Sequence, residues 1–298
     1  RDEYGKKCDY DKVAESWELS CHKDGPSVVA DGEYKGLTLN EYIEKAGKGV
    51  LGKNCERFEN FPILIKLIDA KDNLSVQVHP DNDYAMRVEG EYGKTEMWYV
   101  VDCDEGATLL YGFKHEITKE EFARRIADNT LLEVTNAVPV KKGDVFFIKS
   151  GTLHAIGKGI LIAEIQQNSN TTYRIYDYGR VGKDGKPREL HVDKALDVTK
   201  LAPAEQYPET PVEKKDGYDI KLLSKCEYFT TYRVNVETKA ELDADENSFN
   251  SILVLEGEPV ISGGETVSAK KGESVFISAG TGKYTVEGKC TFVLTKID

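Results

Sequence analysis

The amino-acid sequence predicts a mainly β protein in which a jelly-roll barrel is used twice, with a small helical insertion. Three observations carry that expectation. Alternating apolar stretches recur along the chain. The clearest is Leu74-Ser75-Val76-Gln77-Val78-His79, with Leu74, Val76 and Val78 on one face and Ser75, Gln77 and His79 on the other. From Tyr218 to Asp298 the pattern is short strands separated by glycine turns. The two halves also repeat. Residues 142–152 (KGDVFFIKSGT) align with residues 271–281 (KGESVFISAGT), and Trp98-Tyr99-Val100-Val101 aligns with Ile252-Leu253-Val254-Leu255.

Such a repeat describes the double-stranded β-helix of the cupin class, hence two cupin-type jelly-roll barrels. At 298 residues the chain can bury a large core. Its formal net charge of −12 makes nucleic acid or an anionic membrane an unsuitable partner. An acidic protein that handles an anion must therefore concentrate its cations locally. No apolar run approaches the roughly 18–20 residues that span a bilayer. The six cysteines show no CxxC spacing and read as reduced thiols in a cytoplasm, so any metal here uses N and O ligands. The opening RDEYGKKCDY shows neither a signal peptide nor a starting Met, which suggests trimming at the N-terminus.

In order, residues 1–38 are polar and irregular, with a short extended piece around Trp17, read as a core anchor or a substrate-lining residue. Residues 39–47 form a helix starting at Asn40 and stopped by Gly47. Phe61 to Ile68 is a buried strand whose one charge, Lys66, either snorkels out or faces a polar cavity. The alternating strand stops at Pro80, and a polar loop leads to Glu96 and the apolar run Met97 to Val101. Residues 118–128 make a helix opened by a capping box, Thr118 with Glu121. Val138 to Ile148 returns to strand and runs on to His154, and Gly159 to Gln166 alternates with Ile160, Ile162, Glu164 and Gln166 on one face. Thr172, Arg174 and Tyr176 share a face, and residues 191–200 are helical. The domain reading is a metal-binding catalytic barrel over residues 1–200, a linker over 201–217 and a degenerate, metal-free barrel over 218–298.

An ordinary half-buried strand shows water long charged side chains. This one shows a hydroxyl, an amide and an imidazole, and a carboxylate follows at the mouth of the next strand. Gln77, His79 and Glu96, with His154 from far along the chain, are therefore candidate ligands of a divalent metal. The second half argues the same way by what it lacks: Lys283 stands where the first half has His154, and nothing like Gln77-x-His79 precedes Ile252.

Phe61-Pro62-Ile63-Leu64-Ile65-Lys66, the Leu74-to-Pro80 strand, Gly93-Lys94-Thr95-Glu96, Gly151-Thr152-Leu153-His154-Ala155 and Gln167-Asn168-Ser169-Asn170-Thr171-Thr172-Tyr173-Arg174 occur in an order that resembles the type I mannose-6-phosphate isomerases, most of all their short bacterial branch. The likeness runs from about Trp17 to Leu196. It implies one zinc ion per chain held by Gln77, His79, Glu96 and His154, with Arg174 over the metal and implicated in catalysis, and Lys94 and Lys66 in the same cleft. Two departures stand out: Lys94-Thr95-Glu96 replaces a common Lys-Pro-Glu, and the usual Trp-Gly-rich opening is absent.

The implied reaction interconverts D-mannose 6-phosphate and D-fructose 6-phosphate through a cis-enediol. It needs a proton shuttle, an electrophile and a grip on the phosphate. Arg174, permanently charged, suits an enediolate. Glu164, a carboxylate on an apolar strand, and Lys94, beside the metal ligands, are the two candidate shuttles. Glu164 serves equally as support for a ligand. Ser75, Lys66 and Lys94 are the candidates for the phosphate, and Trp17 for lining the sugar. Rival readings are another metal cupin, such as a cupin phosphoglucose isomerase or a dioxygenase, and a non-catalytic sugar-binding cupin. The expected partner is a small sugar phosphate, with the chain a monomer or a homodimer.

Overall fold

The computed structural model describes Tyr4, Lys6 and residues 13–182 and 185–298; Cys8 and most of the opening decapeptide lie outside the described residues. The chain divides into two units, one of Arg1–Lys66 with Pro208–Asp298 and the other of Leu67–Tyr207. The first unit begins with β1 (Glu15–Leu19), α1 (Leu39–Ala46) and the start of β2 (Ile63–Ala70). Helix α1 starts earlier than expected. Thr38, not Asn40, is its cap, because Thr38 and Glu41 satisfy each other's backbone N–H groups in a complete capping box. This N-terminal segment packs with the C-terminal strands. Lys53 and Asn54 donate backbone bonds to Glu246 and Asn247, and Phe61 stacks on Phe249 at 5.4 Å.

The second unit holds β3 (Val76–Val78), α2 (Asn82–Val88), β4 (Glu96–Cys103), β5 (Thr108–Phe113), α3 (Lys119–Ala127), β6 (Thr135–Pro139), β7 (Val145–Ile148), β8 (His154–Ala155), β9 (Ile160–Gln167), β10 (Tyr173–Tyr176) and α4 (Val192–Val198). One sheet orders these as β2-β9-β4-β7, with β2 continuing past Lys66, and the other as β10-β3-β8-β5-β6. Helix α2 falls where a polar loop is expected. Asp81 caps it by accepting the Tyr84 N–H at 2.9 Å. Strand β3 keeps the predicted alternation, with an orientation that alternation alone does not reveal. Fully buried Val76 and Val78 pack with Phe122 of α3, Ala195 of α4 and Leu131, on the outside of the sheet. The polar partner Gln77 is thereby left for the interior face.

The first unit resumes with β11 (Val212–Lys215), β12 (Tyr218–Lys225), β13 (Thr230–Val236), β14 (Lys239–Ala244), β15 (Asn250–Gly257), β16 (Val260–Gly263), β17 (Glu265–Ser268), β18 (Ser274–Ile277), β19 (Gly282–Glu287) and β20 (Cys290–Lys296). They form sheets β11-β12-β13-β20-β15-β18 and β14-β19-β16-β17. Within the expected linker, Val212–Lys215 is an edge strand paired with β12. The internal repeat is carried into strand register. Trp98 faces Phe146 across β4 and β7, and Ile252 faces Val275 across β15 and β18. The same bulge recurs too, between Val100 and Asp102 on β4 and between Val254 and Glu256 on β15. Both units are mainly β and cupin-like. No helix among the described residues is long and apolar enough to cross a membrane.

Candidate metal centre

Strand pairing assembles the site. Gln77 lies opposite Arg174 on one side and opposite His154 on the other, and His154 lies opposite Tyr111. Residues directly across a ladder share a face, so Arg174, Gln77 and His154 form a row, with His79 two residues beyond Gln77 on the same side. In the other sheet Glu96 faces Gln166, and Trp98 faces Glu164. The approach to β4 is tight: a Cβ at Gly93 would sit 2.4 Å from the Asp81 carbonyl carbon, so glycine alone fits before Lys94. Thr95 is then clamped, its N–H donating to Gln167 Oε1 at 2.9 Å and its carbonyl accepting from the Gln167 N–H at 3.1 Å. The turn before His154 needs Gly151 at φ +85, and its counterpart in the repeat, Gly280, has φ +80.

Both imidazoles are aimed. His79 Nδ1 lies 3.0 Å from the Thr171 carbonyl and His154 Nδ1 lies 2.8 Å from the Thr152 carbonyl. A carbonyl only accepts, so each Nδ1 carries the proton and each Nε2 presents a lone pair. Those two Nε2 atoms are 3.1 Å apart. Glu96 sits beside them, Oε1 at 3.3 Å from His154 Nε2 and Oε2 at 3.6 Å from His79 Nε2. All three residues are buried, and their donor atoms lie within 4.8 Å of one another. Burial holds the His154 imidazole down at about 4, keeping it in the neutral form a ligand needs. Two converging lone pairs and a carboxylate, with the Gln77 amide in register, fit a divalent cation. The equivalent register positions in the second half hold Asp243, Asn250 and Lys283. There the Asn250 amide donates to Tyr284 Oη and to the Asp243 carbonyl, each at 2.9 Å.

Lys94 and Glu164 lie against this centre. Lys94 Nζ is 2.9 Å from Glu96 Oε2, 3.2 Å from His79 Nε2 and 3.7 Å from Glu164 Oε1. Trp98 Nε1 donates to Glu164 Oε2 at 2.8 Å, and all of these side chains are buried. Ser75 is buried just before β3. Lys66 and Trp17 lie together in the first unit. There Lys66 is 4 % exposed, with Nζ over the Trp17 ring at 4.9 Å and 3.9 Å from Glu15, so it does not snorkel out. Trp17 itself is half-buried, less enclosed than a core anchor.

The structure adds residues that the motifs do not single out. Buried Asp177 accepts from Arg188 at 2.6 and 2.7 Å and from Arg180 Nε at 3.1 Å, while Arg180 Nη1 donates to the Asn73 carbonyl at 2.7 Å. Burial first, then the nearby charge of Arg188, lowers the Arg174 pKa, and Arg180 adds to the effect. Arg174 Nη1 donates to the Glu189 carbonyl at 3.1 Å, and its buried Nε has no hydrogen-bond partner. Arg188 and Arg180 thus converge on Asp177, close enough for Arg174, in the row with Gln77 and His154, to feel all three charges. The local concentration of cations expected of an acidic protein was the available signal.

Residues 6–106 match the model of the type I phosphomannose isomerase catalytic domain, and residues 219–297 match that of the mannose-6-phosphate isomerase cupin domain. The mannose-6-phosphate isomerase ManA of Bacillus subtilis is 38% identical over 297 residues, covering 99% of this chain and 93% of that protein. The mannose-6-phosphate isomerase of Streptococcus mutans is 38% identical over 284 residues, covering 93% of this chain and 86% of that protein. The crystal structure of the mannose 6-phosphate isomerase from Bacillus subtilis superposes with a TM-score of 0.92 at 37% identity, over 99% of this chain and 93% of that one. A mutant phosphomannose isomerase from Salmonella typhimurium, 16% identical with a TM-score of 0.77 over 99% of this chain and 94% of that one, shares the fold.

Proposed function

This chain belongs to the type I mannose-6-phosphate isomerases and is an isomerase, and from that premise we propose that it interconverts D-mannose 6-phosphate and D-fructose 6-phosphate with one zinc ion per chain. The observation that carries the reading is the convergence of His79 and His154 Nε2 with Glu96, each imidazole fixed by a carbonyl behind it. Gln77, His79, Glu96 and His154 would hold the ion. Two neutral imidazoles, a neutral amide and one carboxylate leave bound zinc a net positive charge, so it supplies a Lewis acid toward the sugar oxygens.

The remaining steps belong to the protein. Isomerisation takes a proton from C2 of the open-chain aldose and returns it at C1 through a cis-enediol. Glu164 is the proton carrier in this reading, with one oxygen oriented by Trp98 and Lys94 beside the other. Arg174, which cannot lose its charge under working conditions, faces the negative charge of the enediolate. The phosphate grip falls to the Arg174, Arg180 and Arg188 group more readily than to Ser75, Lys66 or Lys94, because a planar guanidinium meets phosphate with two parallel donors. The free thiols of Cys21, Cys55, Cys103, Cys226 and Cys290 fit work in a reducing cytoplasm.

Steady-state kinetics on a panel of mannose 6-phosphate, glucose 6-phosphate and unphosphorylated mannose test the assignment. Turnover confined to mannose 6-phosphate is expected, whereas preference for glucose 6-phosphate would move the chain to another sugar isomerisation. Arg188→Ala should raise KM for mannose 6-phosphate about 10–100-fold, the loss of a charged hydrogen bond, with kcat little changed. An unchanged KM would remove Arg188 from the phosphate grip.

A further inference from the structure

We propose that Glu91 is a positioning residue for the metal centre, acting through the Ser169–Thr171 loop on the imidazole of His79. This rests on the metal reading above. His79 Nδ1 is oriented by a backbone carbonyl, that of Thr171, so the aim of the imidazole is only as fixed as the loop that bears it. The loop follows β9 and precedes β10, outside regular ladder pairing. A single carboxylate oxygen gathers it: Glu91 Oε2 accepts from Thr171 Oγ1 at 2.9 Å, from the Asn170 N–H at 3.3 Å and from Ser169 Oγ at 3.5 Å. From the other side Gln166 Nε2 donates to the Ser169 carbonyl at 2.6 Å. Glu91 is itself anchored, since Gly93, two residues on, donates to Asn82 Oδ1 at 2.9 Å, the same oxygen that receives Gln167 Nε2 at 2.9 Å.

A neighbouring carboxylate supplies the contrast. Glu89 accepts from Tyr173 Oη at 2.8 Å and from Lys194 Nζ at 2.7 Å, clamping the start of β10 to α4 without touching the Thr171 carbonyl. If holding this surface were all that mattered, the two carboxylates would be equivalent. Of the two carboxylates, it is Glu91 that bonds the loop whose Thr171 carbonyl orients His79.

The test measures zinc affinity by competition with a chromophoric chelator, together with the melting temperature of the metal-stripped protein, for the wild type, Glu91→Ala, Glu91→Gln, Thr171→Val and Glu89→Ala. Glu91→Ala should bind zinc roughly tenfold more weakly, the lower end for an outer partner of a metal ligand. Glu91→Gln, which keeps an acceptor oxygen, should recover part of the loss, and Thr171→Val, which removes only the 2.9 Å bond, should show a smaller loss. Glu89→Ala should lower the melting temperature while leaving zinc affinity within twofold. Wild-type affinity in both Glu91→Ala and Thr171→Val would overturn the proposal alone. Equal weakening in Glu89→Ala would overturn it as well, by reducing it to general loop damage. Failure of the wild type to bind zinc would overturn the metal reading and this inference with it.

Discussion

The Trp98–Glu164 pair separates structural from catalytic roles in the interior of the second unit. Trp98 Nε1 donates to Glu164 Oε2 at 2.8 Å, and both residues are at most 2 % exposed. At the matching positions of the repeat the chain holds Ile252 and Leu294, paired in the same register. The fold therefore tolerates an apolar pair there, and the polar one invites a functional explanation. Trp98→Phe keeps most of the ring and deletes the donor. A hydrogen bond to a charged group contributes about 1.5–3 kcal/mol, and the smaller ring adds a fraction of the roughly 3–5 kcal/mol lost on full truncation of a buried aromatic. The expected cost is about 2–4 kcal/mol. Glu164→Leu added to Trp98→Phe removes the stranded acceptor, so the double variant should be less destabilised than the sum of the single changes by about 1.5–3 kcal/mol. Urea unfolding followed by far-ultraviolet circular dichroism measures these differences. Turnover should fall at least 100-fold in both variants that lack the carboxylate, whatever their stability. Additivity within about 0.5 kcal/mol would refute the pairing argument, and near-normal turnover in Glu164→Leu would refute the proton-transfer role.

Two other perturbations follow from the same structure. Burial alone would raise the Asp177 pKa, but bonds from Arg188 and Arg180 outweigh it and hold the group below its ordinary value. Its stabilising contribution is therefore complete at neutral pH and fades as pH falls below the unfolded carboxyl value, about 4. Asp177→Asn should flatten the acid limb of a stability–pH curve measured by denaturant titration, and an unaltered limb would contradict the assignment. Gly151→Ala meets both a positive φ and the Val198 carbonyl, 2.8 Å from the added Cβ, whereas Gly280→Ala meets only the positive φ. The first should cost more than 2 kcal/mol and the second about 1 kcal/mol, the usual penalty of a left-handed residue. Equal midpoints in thermal unfolding would show that the Gly151 turn relaxes freely.

Much of this was legible from the chain because the relevant signals are local or repeated. Register between β4 and β7 and between β15 and β18 follows the alignment of residues 142–152 with residues 271–281. Thr118 caps its helix by accepting from the Glu121 N–H, and Gln77, His79, Glu96 and His154 stand out by being polar where an ordinary strand is not. What escaped depends on tertiary context. Helix α2 hides in a polar stretch because its stabilisation comes from the Asp81 cap and buried Ala85, not from a long apolar stripe. Alternation in β3 names two faces without saying which is inside, and α3 and α4 decide that by covering Val76 and Val78. Arg188 returns to Asp177 across a loop, a closure that no spacing rule specifies. Glu91 is unreadable for the same reason, since it serves His79 through the backbone of a third segment.

In the proposed function the isomerase depends on a metal held at His79, Glu96 and His154. The most direct measurement couples formation of fructose 6-phosphate from mannose 6-phosphate to a reporter, on protein as purified, stripped by a chelator and reloaded with zinc, with metal content determined each time. Activity should disappear on stripping and return in proportion to zinc, up to one ion per chain. Full turnover in metal-free protein would contradict this reading, as would stoichiometric zinc without turnover on mannose 6-phosphate.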